Sequence, residues 1–71
     1  MSKPPRMKYS AVVRQLREHG AYFVREGGNH EIWRCACGQH QSAVPRHGDV
    51  SSYVVDKIGQ QMKCLGKEWW K

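Results

Sequence analysis

The sequence lacks any long apolar run. No stretch approaches the roughly 20 consecutive apolar residues that a membrane-spanning helix requires. The segment from Met1 to Arg6 carries charge and two prolines instead of the apolar stretch of a secretory signal. We therefore expect neither a membrane-inserted protein nor one exported by such a signal.

Cysteine is scarce and odd in number. The three cysteines, Cys35, Cys37 and Cys64, cannot all pair within one chain. A disulfide scaffold is therefore disfavoured, and free thiols or a metal site in the reducing cytoplasm are the simpler interpretation.

Several catalytic signatures are also missing. The sequence shows no serine or cysteine triad, no phosphate-binding nucleotide motif and no internal repeat. Glu26 and Glu31 flank a predicted hairpin, but charge balance by Arg25 explains them more simply than paired-carboxylate chemistry does.

What is present is a short basic chain. Its 71 residues allow one domain with one thin core, so any site must be superficial. Twelve Lys and Arg against six Asp and Glu give a net charge of +6. This excess favours a polyanionic partner, with nucleic acid first and an acidic protein second.

Two helices are predicted from apolar spacing and capping residues. The first covers about residues 10–19, with Ser10 as N-cap and Gly20 as a left-handed C-terminal cap. Ser51 or Ser52 caps the second. The apolar stripe of the second helix consists of Val54 or Val55, Ile58 and Met62.

Three strands are predicted between the helices. Residues 22–25 and 30–35 form a hairpin, whose loop 27–29 supplies positive φ angles. Residues 40–44 form the third strand, which Pro45 ends.

The element order is α-β-β-β-α. A three-stranded antiparallel sheet of this size has one face to cover, so both helices should lie on the same face. This α+β arrangement is the topology of the double-stranded RNA-binding domain. We expect residues 1–6 to form a flexible leader and residues 7–71 a single domain.

Two short motifs within this pattern resemble a known family. Gly27-Gly28-Asn29-His30 at the hairpin matches Gly-Ser/Asn-His, and Val44-Pro45-Arg46-His47 matches Val-Pro-x-His, of the HicA toxins of HicA–HicB toxin–antitoxin systems. The resemblance covers residues 7–64. The Cys35-Ala36-Cys37-Gly38 turn and the tail with Trp69 and Trp70 depart from the family's commonest pattern.

The resemblance implies a toxin that is a small metal-independent endoribonuclease, an mRNA interferase that cleaves mRNA and blocks translation. It also implies an acidic HicB-like antitoxin as partner, no cofactor, and a catalytic role for His30. A homo-oligomer is compatible with the sequence.

The chemistry of RNA cleavage agrees with a histidine at this position. RNA carries its own nucleophile, the 2′-hydroxyl, so a general base and charge stabilisation suffice. Gly28 lets a phosphate approach the backbone, and Asn29 can donate a hydrogen bond to it. His47 is either a second acid/base or a loop histidine that orders the second helix, while His19 and His40 are expected to be surface residues.

Basic and aromatic residues complete the predicted RNA surface. We expect Arg25, Arg46 and Lys57 to contact phosphates first. Tyr22 and Tyr53 could stack on unpaired bases. Trp33 is expected in the core instead.

A zinc site is the alternative use of the cysteine turn. Cys35-x-Cys37-x-x-His40, with His47 further on, supplies four ligands of the kind zinc takes. Against it, Cys-x-Cys is a tight spacer, and alternating strand positions would separate the ligands. Two free thiols flanking a turn are therefore our prediction, with no metal.

Two other functions stay open on the sequence alone. One is a non-catalytic double-stranded RNA-binding module, and the other is a small zinc-stabilised interaction domain. RNA cleavage and the metal content of the purified protein distinguish the three.

Overall fold

The structure is a computed structural model that describes residues 3–46, 48–66 and 68–71. It is an α+β fold, as predicted. The elements in chain order are β1 (Met7–Lys8), α1 (Tyr9–Glu18), β2 (Tyr22–Gly27), β3 (His30–Arg34), β4 (Gln41–Pro45), β5 (Asp49–Val50), α2 (Ser52–Gln61) and a 3₁₀ helix (Lys63–Leu65).

The central sheet has the strand order β2-β3-β4, with both neighbouring pairs antiparallel. Trp33 and Val44 are fully or almost fully buried and belong to the same core cluster as Leu16 of α1 and Ile58 of α2. Both helices therefore cover the same face of the sheet, which confirms the predicted α-β-β-β-α arrangement. We call the opposite face the open face.

Helix α1 begins at Tyr9, one residue before the expected start. Ser10 is not its N-cap, so that prediction is wrong: the N-cap position is Lys8, which makes no side-chain capping bond. The backbone N–H of Tyr9 instead donates to the carbonyl of Gly48, 3.1 Å away. A tertiary hydrogen bond to the Gly48 carbonyl thus satisfies a backbone N–H at the start of the helix, where the sequence predicted a serine cap.

The C-terminus of α1 ends as predicted at Gly20, whose φ is +84°. The N–H of Gly20 donates to the carbonyl of Arg17 at 3.0 Å, and the N–H of Ala21 donates to that of Leu16 at 2.9 Å. This pair of bonds is the Schellman motif, in which a left-handed glycine satisfies the last carbonyls of the helix.

Helix α2 begins where a serine cap was expected. The N–H of Val54 donates to Oγ of Ser51 at 3.3 Å, which selects Ser51 over Ser52. Val55 and Ile58 are fully buried, and so is Met62 just beyond the helix. The predicted apolar stripe is confirmed.

A second, two-stranded sheet pairs β1 with β5, with Met7 opposite Val50. The sequence does not predict this pairing, because strands of two residues carry no alternation to detect. The pairing holds the start of α1 next to the segment that precedes α2.

The C-terminal tail is part of the core. Leu65 and Trp69 are 5% and 3% exposed. A Cβ on Gly59 of α2 would lie 2.7 Å from the indole Nε1 of Trp69. The absence of a side chain at Gly59 thus makes room for this tryptophan. Among the described residues, no helix is long and apolar enough to cross a membrane.

Candidate nucleic-acid interface

The β2–β3 hairpin places His30 at the first position of β3. Gly27 pairs with His30, so the loop consists of Gly28 and Asn29 alone. Gly28 has a φ of +67°, but Gly27 and Asn29 do not have positive φ angles. The expectation of positive φ throughout the loop is therefore wrong. A positive φ at only the first of two loop residues matches a type II′ turn, which favours glycine at that position.

His30 is exposed and lies on the open face of the sheet. Side chains alternate along β3, and Trp33 points into the core, so His30, Ile32 and Arg34 point the other way. The His30 imidazole makes no hydrogen bond or ion pair with any described residue. It is therefore accessible to a ligand on this face.

Two arginines share the open face with His30. Arg25 pairs with Ile32, and directly paired residues lie on the same side of a sheet. Its Nη1 lies 3.9 Å from where a Cβ on Gly27 would be, and Gly27 is the cross-strand partner of His30. The guanidinium of Arg25 is thus next to the hairpin pair that holds the histidine.

Arg34 lies on the same face at the other end of β3. Its Nη2 donates to Oε1 of Gln41 in β4 at 3.0 Å, which orients the guanidinium. Arg34 pairs with Tyr22, which is 44% exposed. The open face therefore combines an imidazole, two guanidinium groups and an exposed aromatic ring.

The two carboxylates near the hairpin lie on the helix side. Glu26 pairs with Glu31, and both interact with Arg46: its Nη1 is 3.0 Å from Glu26 Oε1, and its Nε is 3.7 Å from Glu31 Oε2. The prediction that Arg25 balances the charge of these carboxylates is therefore wrong. Negative charge is separated from the face that carries His30.

Glu31 also accepts two hydrogen bonds. The hydroxyl of Tyr9 and the indole Nε1 of Trp33 donate to its Oε1 at 2.5 Å and 3.0 Å. Burial raises the pKa of Tyr9 to about 12, and the hydrogen bond and negative charge of Glu31 act in the same direction. Glu31 thus links α1, β3 and the end of β4.

The predicted phosphate-binding residues fall into two groups. Gly28, Asn29 and Arg25 lie at the hairpin with His30. Arg46 has its charge balanced by Glu26 and Glu31, although its backbone N–H donates to the carbonyl of Asn29 at 3.0 Å.

Lys57 lies in α2, in the helical layer, with its Nζ 5.7 Å from the ring centre of the exposed Tyr53. The sheet therefore separates Lys57 and Tyr53 from His30. Trp33 is core, as predicted.

His47, the candidate second acid/base, lies outside the described residues. His19 is an exposed residue, as expected, and its Nδ1 lies 2.8 Å from the carbonyl oxygen of Gln15.

A separate cluster of sulfur and nitrogen atoms lies at the far end of β3. Cys35 and Cys64 are joined in a disulfide, so the prediction of a free thiol at Cys35 is wrong. Cys37 is free and exposed, and its Sγ is 3.3 Å from Nδ1 of His40. His40 is therefore not the isolated surface residue that we expected.

Two of the residues that the fold brings together are not among the predicted site residues. The alternation of β3 already indicates that Arg34 shares the face of His30, because it lies four positions further along the strand. Cys64 had no local signal, because it is 29 residues from Cys35 and follows a helix.

Comparison with known families agrees with this architecture. The family model of the HicA toxin of bacterial toxin-antitoxin systems matches residues 9–64. Searches of curated proteins and of solved structures gave no match. The matched region contains α1, the central sheet and α2, together with both motifs around His30 and Pro45. The chain belongs to the HicA toxin family of bacterial toxin–antitoxin systems.

Proposed function

We propose that this toxin is a cytoplasmic endoribonuclease that cleaves mRNA, with His30 as the general base. The observation that carries the proposal is the exposed imidazole of His30, which has no hydrogen-bond or ion-pair partner among the described residues, on a face that also holds Arg25 and Arg34. Glu26 and Glu31 lie on the other side of the sheet, so nothing in the described part of that face opposes an approaching phosphate backbone.

The reaction needs few groups from the protein. The His30 imidazole takes the proton of a ribose 2′-hydroxyl, and the 2′-oxygen attacks the adjacent phosphorus. The bond to the 5′-oxygen breaks, and the imidazolium returns a proton to that leaving oxygen. The products are a 2′,3′-cyclic phosphate and a free 5′-hydroxyl. Since the nucleophile belongs to the substrate, this mechanism requires no metal at the reacting phosphate.

The neighbouring residues hold the phosphate. Gly28 has no side chain, so its backbone can come close to a phosphate oxygen. Asn29 is exposed beside it and can donate a hydrogen bond. The guanidinium of Arg25 stabilises the negative charge that grows on the phosphate during the attack.

The proposed partner is an acidic HicB-like antitoxin. The open face has no lid among the described residues, and a chain of charge +6 gains by meeting carboxylates. We propose that the antitoxin covers His30 and its two arginines, which would block access of RNA. A toxin–antitoxin complex in which His30 stays fully exposed would contradict this arrangement.

The test compares wild type with His30→Ala on a single-stranded RNA, with and without EDTA. Wild type should cleave in both conditions and give cyclic phosphate ends. His30→Ala should lose roughly 10²- to 10⁴-fold in rate, the usual contribution of a general base. His19→Ala, which removes an exposed histidine outside the open face, is the matched control and should cleave at the wild-type rate.

Circular dichroism should be the same for all three proteins. Cleavage by His30→Ala at the wild-type rate would refute the assignment of the base. Tight RNA binding without cleavage by wild type would instead indicate the non-catalytic RNA-binding module.

A further inference from the structure

The cysteine turn and the 3₁₀ helix bring four potential metal ligands together. These are Cys35, Cys37, His40 and Cys64, and one ligand atom from each lies within 4.8 Å of all the others. The cluster unites a short turn with a cysteine 24 to 29 residues further along the chain. None of the four takes part in the proposed cleavage of RNA.

The separations suit a tetrahedral zinc ion after small movements. With zinc–sulfur bonds near 2.3 Å and zinc–nitrogen bonds near 2.0 Å, neighbouring ligand atoms in a tetrahedron are about 3.5 to 3.8 Å apart. Cys37 Sγ and His40 Nδ1 are already 3.3 Å apart. The Cys35 and Cys64 sulfurs must separate, and the longest distance in the cluster must shorten by about 1 Å.

The backbone of the turn already stabilises this arrangement. The N–H of Gln39 donates to Cys37 Sγ at 3.4 Å, which fixes the position of this sulfur in the turn. The N–H of Cys35 donates to the carbonyl of His40 at 2.8 Å, which closes the turn. Gly38 adopts a φ of +76°, so the chain can reverse direction between Cys37 and His40.

We propose that Cys35, Cys37, His40 and Cys64 form a structural zinc site. A disulfide between Cys35 and Cys64 uses only two of the four groups and leaves an exposed thiol beside an imidazole. Zinc uses all four, and three thiolates with one histidine form a common closed structural site. This explains both the odd number of cysteines and the position of His40.

The disulfide and the zinc site are alternative states of the same pair of cysteines. A phosphine reductant gives up two electrons and, with water, becomes the phosphine oxide, while Cys35 and Cys64 gain two electrons and two protons as thiols. Zinc then displaces a proton from each of the three coordinating thiols. The reduced chain is therefore the form that binds the metal.

The site holds the sheet to the C-terminal segment. Cys35 follows the end of β3, and Cys64 lies in the 3₁₀ helix that leads into the tail. A domain of this size has a thin core, so a cross-link of this kind stabilises its fold. The five residue-to-residue steps from His30 to Cys35 span about 17 Å of extended chain, so a closed zinc site has no direct contact with the base.

The first measurement needs no variant. Protein purified in a phosphine reductant should contain one zinc per chain by elemental analysis, and after unfolding with a chelator it should show three alkylatable thiols. Reduced protein that shows three thiols but takes up no added zinc would overturn the proposal. So would metal-free protein that retains a Cys35–Cys64 disulfide under these conditions.

Variants of the two ligands outside the disulfide separate the two states. Cys37→Ser and His40→Ala leave Cys35 and Cys64 intact. If these two cysteines serve only as a disulfide, neither variant should differ from wild type in zinc affinity. Zinc coordination predicts that both lose roughly 100-fold or more in zinc affinity, above the 10- to 100-fold typical of second-shell changes. Unchanged zinc affinity in both variants would remove Cys37 and His40 from the site.

Cobalt substitution and two controls complete the experiment. Co²⁺ added to the reduced wild type should give the visible bands of a tetrahedral thiolate site, and Cys37→Ser should weaken their charge-transfer component. His19→Ala and His30→Ala should both bind one zinc. Zinc loss in His30→Ala would place the metal at the RNA-cleaving residue instead and contradict a structural role.

Discussion

The hydroxyl of Tyr9, the first residue of α1, donates a 2.5 Å hydrogen bond to the carboxylate of Glu31 in β3. The same carboxylate accepts from Trp33 and faces Arg46. Glu31 is mostly buried, with 13% of its side chain exposed, so these partners supply hydrogen bonds that water supplies to an exposed carboxylate. The contact ties the first helix to the strand that carries His30.

Tyr9→Phe should therefore destabilise the fold. It removes a hydrogen bond to a partly buried carboxylate, which typically contributes about 1.5 to 3 kcal/mol. The free energy of unfolding, measured by denaturant titration at neutral pH, should decrease by about that amount. Tyr53→Phe, at an exposed tyrosine of α2, should change it little, and equal losses in the two variants would contradict the role of Tyr9.

The same contact predicts a pH dependence at the alkaline end. The pKa of Tyr9 is about 12 in the fold, against an ordinary value near 10. The folded chain thus holds the phenolic proton more tightly than the unfolded chain does. This contribution is complete below pH 10 and is lost as pH rises from about 10 to 12. The loss of stability over that range should be smaller in Tyr9→Phe than in Tyr53→Phe.

The hairpin offers a matched pair of glycine variants. Gly28 has a φ of +67°, so Gly28→Ala places a side chain in the left-handed region, at a cost of roughly 1 to 2 kcal/mol. Gly27 has no positive φ, and its added Cβ would meet only ordinary contacts at 3.9 Å. Gly27→Ala should therefore change the free energy of unfolding much less.

Cleavage assays on the same pair test the placement of His30. Gly28→Ala should also slow RNA cleavage, because the turn positions His30 and leaves room for a phosphate. If Gly27→Ala proved the more damaging of the two in both assays, the turn geometry assigned to this loop would be wrong.

The tail supplies a further prediction. Trp69 is 3% exposed and lies against Gly59, so Trp69→Ala should cost about 3 to 5 kcal/mol, as buried tryptophan truncations do. Trp70 is only partly buried, and Trp70→Ala should cost less. Thermal or denaturant unfolding of both variants gives the comparison.

Gly59→Ala checks the same contact from the helix side. Alanine in a helix is normally favoured over glycine by about 1 kcal/mol. Here its Cβ would lie 2.7 Å from the indole nitrogen of Trp69, so the variant should be less stable than wild type. A gain in stability would show that Trp69 does not pack against Gly59.

The order of the elements could be predicted because local signals agreed with the fold. Gly20, Gly28 and Ser51 occupy positions whose backbone geometry their chemistry favours. Side chains alternate along β3, so the prediction that Trp33 lies in the core also puts His30 on the opposite face. Each of these features depends on a few consecutive residues.

The errors arose where a distant segment decides the outcome. Ser10 does not cap α1, because the N–H of Tyr9 is satisfied by Gly48. Arg25 does not balance Glu31, because the register shifts by one residue between Phe23 and Arg25. That bulge places Arg25 opposite Ile32, on the open face.

The open-face arginines carry the last prediction. If Arg25 and Arg34 contact RNA phosphates, Arg25→Gln and Arg34→Gln should weaken binding of a single-stranded RNA, measured by fluorescence anisotropy in a His30→Ala background that prevents cleavage. Each lost contact should reduce the slope of log affinity against log salt by about 0.7.

Arg14→Gln is the control for these variants, because it removes the same charge from α1, where Arg14 lies 4.0 Å from Glu18 and outside the open face. Its salt slope should match that of the His30→Ala background, since a charge that touches no phosphate releases no counterion from the RNA. Equal reductions in all three arginine variants would mean that RNA responds to net charge alone. The open face would then have no special role in binding.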